Sequence, residues 1–480
     1  MNIFAILSLH AELWLMMVIL LVLIADLFMG SLRKRWLHPL LCVLMAVQVI
    51  LNLTPDTRVL FGGMYINTPF MSIVKSVLSA GTLLVFLQSD RWLSRKDTHF
   101  KRGEFYVLTL CTLLGMFFML TAGHFLLFYL GLELASIPMA CIVALDKYRH
   151  NCAEAGAKFI LSSMFSSAFL LYGLSFLYGS CGTLYFADIT AAMQDSAMVK
   201  YALALFIAGI GFKMSLVPFH LWTADVYQGA PTTVSAYLSV ISKGAAAVAL
   251  GGILYHVFAP LAREWSYALS LLVMITITIG NLMALLQNNM KRFMSFSSIS
   301  QAGYLLLGVL AGSAQGMASV VFYLVIYVAA NVGVFAVIGA IEEESDGRLV
   351  NRDDYRGLYR TNPRLAFLMT LCLFSLAGIP PFAGFFSKFF IFSSAFHSGW
   401  WATVFVALVN TVISLYYYLL VVKAMYIEEP EGGVPAVQYF RVGGTSRICM
   451  WLCFASVCVL GLLSVIYEGL FNWATVFCAG

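Results

Sequence analysis

FIAGIGFKMSLVPFHLWTADVYQGAPTTVSAYLSVISK, residues Phe206 to Lys243, decides the fold. It begins as an apolar helix, yet Lys213 stands inside it with no acidic residue nearby in sequence. Pro218-Phe219-His220 then interrupts the helix, because proline lacks an amide hydrogen and its ring clashes with the preceding turn. A polar link with Asp225 and Pro231 follows, and a second apolar helix carries Lys243. A lysine at bilayer depth costs about 2.5–3.5 kcal/mol on insertion scales. A helix broken at that depth leaves backbone groups that only protein or water can satisfy. Two such costs in one place point to an ion pathway.

The rest of the chain supplies the membrane. Of its 480 residues 61% are hydrophobic and 11% charged, the mean hydropathy is +0.89, and runs of about 20 apolar residues recur throughout. This is the composition of an all-α polytopic membrane protein. The first apolar run, roughly Glu12 to Met29, is too long for a signal-peptide core and lacks a basic leader, so it reads as a retained helix. Ten cysteines lie mostly inside apolar runs, without a C-x-x-C pair or a Cys/His cluster at metal spacing. Cys449 and Cys453 share a helix face and read as apolar packing residues. Phosphate-loop, dinucleotide and haem motifs are missing. The chain is therefore expected to hold no cofactor and no metal, and any redox group belongs to other chains.

Apolar runs of spanning length give fourteen candidate helices, near 10–29, 38–54, 68–89, 104–121, 124–144, 157–178, 199–218, 232–257, 267–287, 293–312, 318–341, 364–396, 400–426 and 448–468. Of the 28 Lys and Arg residues, nineteen fall in loops after odd-numbered helices and three, Arg58, Lys200 and Arg263, in loops after even-numbered ones. By the positive-inside rule the first set is cytoplasmic and both termini face away from the cytoplasm. The charge-alternating stretch Glu342 to Pro363 and the Gly- and Pro-containing stretch Glu428 to Ser446 read as exposed loops.

The remaining six basic residues all fall within helices, and all are lysine: Lys75, Lys158, Lys213, Lys243, Lys388 and Lys423. Arginine keeps its charge, whereas a desolvated lysine can release its proton, so an all-lysine set favours groups that titrate. Lys423 and Lys158 lie near helix ends, within snorkelling reach of the interface. Lys75 admits either reading, and Lys213, Lys243 and Lys388 are too deep for that escape. Among acidic residues, Asp26 lies near the end of the first helix, while Glu133, in GLELASIP, lies mid-helix. The alternative to a functional Glu133 is an ion pair that locks two helices together. His220 follows the break and titrates near neutral pH; its alternative is a satisfied structural histidine.

The second half echoes the first. SLAGIPPFAGFFSKFF, Ser375 to Phe390, is another apolar run broken by Gly378 and Pro380-Pro381, with Lys388 just beyond. Paired interrupted helices in the two halves are the mark of internal repeats with ion sites at the breaks. The symmetry is approximate, since Lys213 precedes its break and Lys388 follows.

GFKMSLVPFHLWTADVYQGAP, LELASIP, NNMKRFMSFSSIS and LAGIPPFAGFFSKF resemble the antiporter-like membrane subunits of bacterial proton-pumping NADH:quinone oxidoreductase, respiratory complex I. The resemblance covers nearly the whole chain. It implies two inverted five-helix repeats with broken helices 7 and 12. The chain divides into an N-terminal three-helix segment 1–103, repeats 104–260 (helices 4–8) and 261–427 (helices 9–13), and a C-terminal part 428–480 with helix 14. The resemblance further implies a proton relay in which Glu133 pairs with Lys213, Lys243 is the central step and Lys388 leads to the exit. Lys158 would be auxiliary beside the pair. One departure is Gln301, which follows Ser-Ser-Ile-Ser where relatives often carry a histidine; a glutamine cannot titrate. The implied chain is a translocating subunit of an enzyme complex in a bacterial inner membrane. Other membrane subunits and a peripheral redox arm would be its partners, with NADH, FMN, iron–sulfur clusters and quinone bound by those partners and no nucleic acid involved. The competing readings are a subunit of a multi-subunit cation/proton antiporter or membrane-bound hydrogenase, which shares the core motifs, and a scaffold whose lysines only cross-link helices.

Overall fold

Inside a bilayer a backbone must satisfy its own hydrogen bonds, so apolar runs of spanning length become helices. The computed structural model describes residues 9–29, 33–95, 97–146, 150–461 and 465–479. Its principal helices are α1 (His10–Phe28), α2 (Leu37–Asn52), α3 (Pro69–Leu93), α4 (Arg102–Leu120), α5 (Phe125–Val143), α6 (His150–Cys181) and α7 (Ala197–Met214). There follow α8 (Leu221–Gly229), α9 (Thr232–His256), α10 (Ala262–Leu285), α11 (Met290–Leu310) and α12 (Ala314–Glu344). The chain continues through α13 (Pro363–Ala377), α14 (Ala383–His397), α15 (Trp401–Tyr426), α16 (Gly444–Val459) and α17 (Val465–Ala479). Side chains close several starts: Thr68 accepts from Met71 N, Ser196 from Val199 N, and Asn289 from Lys291 N and Arg292 N, each satisfying an amide the helix leaves free. The two short strands Arg58–Leu60 and Tyr65–Asn67 pair antiparallel, with Arg58 opposite Asn67.

Among the described residues, eleven helices are long and apolar enough to cross a membrane, and Leu37–Asn52, Pro363–Ala377 and Gly444–Val459 are shorter apolar helices. Each expected span has a helix on it, but the expected fourteen are not all single full-length crossings. The last one differs most. In place of one helix at 448–468 there are two, α16 and α17, and α17 folds back along α12. The Tyr467 ring stacks on Phe390 at 3.8 Å, and Phe477 stacks on Phe70 at 4.9 Å. Of the expected loop cations, Lys96, Lys147 and Arg149 lie outside the described residues.

The core runs through α9, α11 and α12. Their apolar windows are 94%, 100% and 94% buried, against 22% for α1 at the periphery. Small residues let helices meet closely: a Cβ added at Gly115 or Gly131 would overlap backbone of the facing α5 or α4. Where α1 meets α4, the Asp26 carboxyl packs where a Gly103 side chain would be, in the first turn of α4, the end of a helix that favours negative charge.

Candidate functional site

Both expected breaks are present and end their first half alike. Ser215, at φ 60°, closes α7 in the left-handed conformation, and Leu216 N donates to Gly211 O at 2.8 Å. Gly378, at φ 86°, closes α13, and Ile379 N donates to Phe374 O at 3.1 Å. This is the same helix-stop motif twice, with a 6→1 hydrogen bond. Val217-Pro218 and Pro380-Pro381, each three residues beyond its left-handed cap, are both cis. Other elements satisfy the freed amides: Val217 N donates to Thr276 Oγ1 of α10 at 3.1 Å, and Gly384 N to Ser375 Oγ at 3.2 Å.

The three deep lysines are buried in helical walls. Lys213 Nζ donates to Ser136 Oγ at 2.8 Å and Ala135 O at 3.4 Å, both on α5. Glu133 lies one turn earlier on α5, beyond ion-pair distance of Lys213. Its Oε1 is buried without a hydrogen-bond partner. Lys243 Nζ donates to Ser298 Oγ of α11 at 2.8 Å and lies 5.6 Å from the centre of the Tyr227 ring. It follows a π-helical turn, Leu238–Ser242, inside α9. Lys388 Nζ reaches back across the second break to Ala377 O at 3.0 Å. That is the last carbonyl of α13, where the helix end carries partial negative charge and lacks an internal donor. The Lys388 ammonium also sits 4.9 Å over the Tyr304 ring. His220 is half-buried at the end of the first break, and its Nδ1 is buried without a partner.

Between Lys243 and Lys388 the structure places a run of hydroxyls, the serines of SFSSIS together with tyrosines that the sequence does not mark. Ser298 Oγ faces the Tyr227 hydroxyl at 3.5 Å, and the Tyr327 hydroxyl donates to Ser239 O at 3.3 Å. Gln301 joins two phenols: its Nε2 donates to the Tyr418 hydroxyl at 3.2 Å, and its Oε1 accepts from the Tyr323 hydroxyl. Ser297 meets Tyr418 at 2.5 Å. Tyr323 and Tyr327 then line, with Ser375, Ser387 and Lys388, a cavity of about 10 Å³, roughly one water in size. All these tyrosines are buried. No sequence signal marked them, since a tyrosine in an apolar run reads as packing.

Two charged clusters stand apart. Lys158 contacts neither Glu133 nor Lys213; it pairs with Glu154 and Asp225, each at 2.7 Å, and Asp225 also pairs with Arg292 at 2.7 Å. Lys75 is fully buried. It pairs with Glu12 Oε1 at 2.6 Å and donates to Asn67 Oδ1 at 3.0 Å and the Tyr65 hydroxyl at 3.2 Å. Tyr65 in turn donates to Glu12 at 2.9 Å. Burial, with the Glu12 carboxylate beside it, pushes the Tyr65 phenol far above its usual range. Glu12 had escaped notice as a deep carboxylate because it opens the first apolar run, where an exposed helix end is the natural reading.

Two broken helices, each carrying or adjoining a buried lysine, with a third buried lysine and a set of buried hydroxyls between the repeats, define an antiporter-like ion-translocating membrane subunit. Residues 122–414 match the family described as NADH:quinone oxidoreductase/Mrp antiporter, TM, and the chain belongs to that family. NADH-quinone oxidoreductase subunit N of Phocaeicola vulgatus is 59% identical over 471 residues, covering 98% of both chains. Subunit N of Azobacteroides pseudotrichonymphae is 48% identical, covering 96% of both. A chain of respiratory complex I from Thermus thermophilus with bound aureothin is 30% identical, with a TM-score of 0.80 over 96% of this chain and 99% of that one. A chain of the Mrp complex from Dietzia sp. DQ12-45-1b shares the fold, with a TM-score of 0.83 over 100% of this chain and 97% of that one at 22% identity.

Proposed function

We propose that this chain carries protons through the membrane part of an NADH-quinone oxidoreductase, driven by quinone reduction in other subunits. The observation that carries the reading is the set of buried polar groups around Lys243, Ser298 and Tyr227 and from Gln301 through Tyr323 to the Lys388 cavity, with Lys213 buried separately against Ser136 of α5. Each lysine has a neutral hydrogen-bond acceptor in place of a direct carboxylate partner, which leaves its proton less tightly held than in an ion pair. Glu133 then tunes Lys213 through space; at an effective dielectric near 20 a charge pair at 4 Å is worth about 4 kcal/mol, and the wider Glu133–Lys213 separation gives less than that. Moving one charge against 100 mV costs about 2.3 kcal/mol, so closing and opening that separation changes the coupling by an amount of the same order as one step. In this reading His220 and Lys158 are auxiliary, 104–260 and 261–427 act as two units, and NADH, FMN, iron–sulfur clusters and quinone stay on partner chains. The basic loops face the cytoplasm and both termini the other side of a bacterial inner membrane.

Lys213→Ala and Lys243→Met test it in membranes, with quinone-coupled turnover and proton uptake normalised to assembled complex. Both are expected to drop strongly, and Lys213→Arg to restore little, because guanidinium holds its proton. Near-normal pumping in either alanine or methionine variant would leave the lysines as mere helix cross-links.

A further inference from the structure

Helix α8 is cut loose at both ends, by the Ser215–His220 break before it and by Ala230-Pro231 after it. Two cavities, of about 420 and 140 Å³, flank its C-terminal end, and Asn151, Gln228 and Gly229 line both. Side-chain ties hold that end. Asp225 gives one oxygen to each half of the protein: Oδ2 to Lys158 of α6 and Oδ1 to Arg292 of α11, both at 2.7 Å. Arg292 adds a bond to Gln228 at 2.9 Å. Two residues past Asp225, and so about 200° around the helix, Tyr227 faces inward. Its buried ring lies against Lys243, and its hydroxyl faces Ser298. One face of α8 is thus clamped by charge while the other touches the central lysine.

We propose that Asp225 is a positioning residue: by dividing its carboxylate between Lys158 and Arg292 it fixes α8 so that Tyr227 stays seated at Lys243 and Ser298, and proton transfer there depends on that seating. The proposal rests on the relay reading above. Charge-assisted bonds are the strong ones, and the flanking cavities give α8 room to shift once they are lost. Displacement of a catalytic contact by about 1 Å costs on the order of 100-fold in rate, so a partial shift is enough to slow the step without unfolding anything.

The experiment uses the assembled oxidoreductase in native membranes, with quinone reduction and proton uptake measured per assembled complex. Asp225→Asn is expected to slow turnover roughly tenfold, the worth of one charge-assisted bond, while Asp225→Glu keeps most of it. Tyr227→Phe slows turnover by itself, and Asp225→Asn combined with Tyr227→Phe is no slower than the worse single variant, because both act through the same contact. Multiplying losses, or a normal rate in Asp225→Asn, would overturn the assignment. Should Asp225→Asn not assemble, Lys158→Met and Arg292→Met each sever one tie at a partly exposed side chain, and normal rates in both overturn it equally. A normal rate in Lys243→Met is a different failure: it removes the relay itself, whatever Asp225 does.

Discussion

At the scale of single residues, the lysines were legible and the tyrosines were not, for one physical reason. A lysine in an apolar run is a cost that needs a cause, so Lys213, Lys243 and Lys388 stood out before any geometry was known. A phenol is at home in the same run, so among 23 tyrosines nothing distinguished Tyr227, Tyr323, Tyr327 and Tyr418. Gln301 shows what those phenols do. It was legible as an oddity in SFSSISQ, and the structure gives it two partners, Tyr323 and Tyr418, on two different helices. Gln301→Leu removes both bonds and strands the buried Tyr323 hydroxyl, at about 1–3 kcal/mol, while Tyr418 keeps its bond to Ser297. Turnover per assembled complex is expected to fall several-fold, less than on losing Lys213 because no charge-carrying group disappears. Gln301→His, which still donates and accepts, keeps most of it. An unchanged rate in the leucine variant, with only assembly reduced, would take Gln301 out of the path.

At the scale of elements, the two breaks were readable from Pro-Phe and glycine, and what lies inside the intact-looking helices was not. The π turn Leu238–Ser242 that precedes Lys243 leaves no composition signal, because one extra residue in a turn changes phase and not hydrophobicity. The second break depends on an intimate contact the sequence also hides. A Cβ at Gly384 would overlap the Ser375 carbonyl, and Gly384 N donates to Ser375 Oγ. Gly384→Val is therefore expected to force α13 and α14 apart and lower the amount of assembled complex, or its thermal stability, by several degrees. The loss follows from backbone overlap that no side chain can relieve. Blue-native electrophoresis and a melting curve of the purified complex report it; a variant that assembles and melts like the parent would show that the two halves are not packed this closely.

Over the whole molecule, the N-terminal three helices are tied to one another by charge as well as by packing. Lys75 on α3, Glu12 on α1 and Tyr65 in the hairpin form a buried knot, and the Lys75 ammonium also lies 5.6 Å from the Phe117 ring of α4. Removing one charge leaves the other buried and unpaired, which costs about 3–5 kcal/mol, whereas replacing both with apolar groups is often neutral. Lys75→Met alone is expected to destabilise the assembled complex, and Glu12→Leu with Lys75→Met to recover most of the loss, read as melting temperature. A double variant worse than the single would mean the pair does more than tie helices. The knot was half legible, since Lys75 was visible and its partner 63 residues away was not. A last consequence lies in the order of synthesis. Helix α17, which covers α12 through Tyr467 and reaches α3 through Phe477, is made more than a hundred residues after α12 ends. At about 5–20 residues per second, that face of α12 spends on the order of ten seconds in the membrane before its own cover emerges from the ribosome. During this window the nascent chain presents Ser319 and Phe322, which the finished fold covers with Tyr467, to lipid or to the insertion machinery, so a message truncated before α17 leaves that face of α12 uncovered.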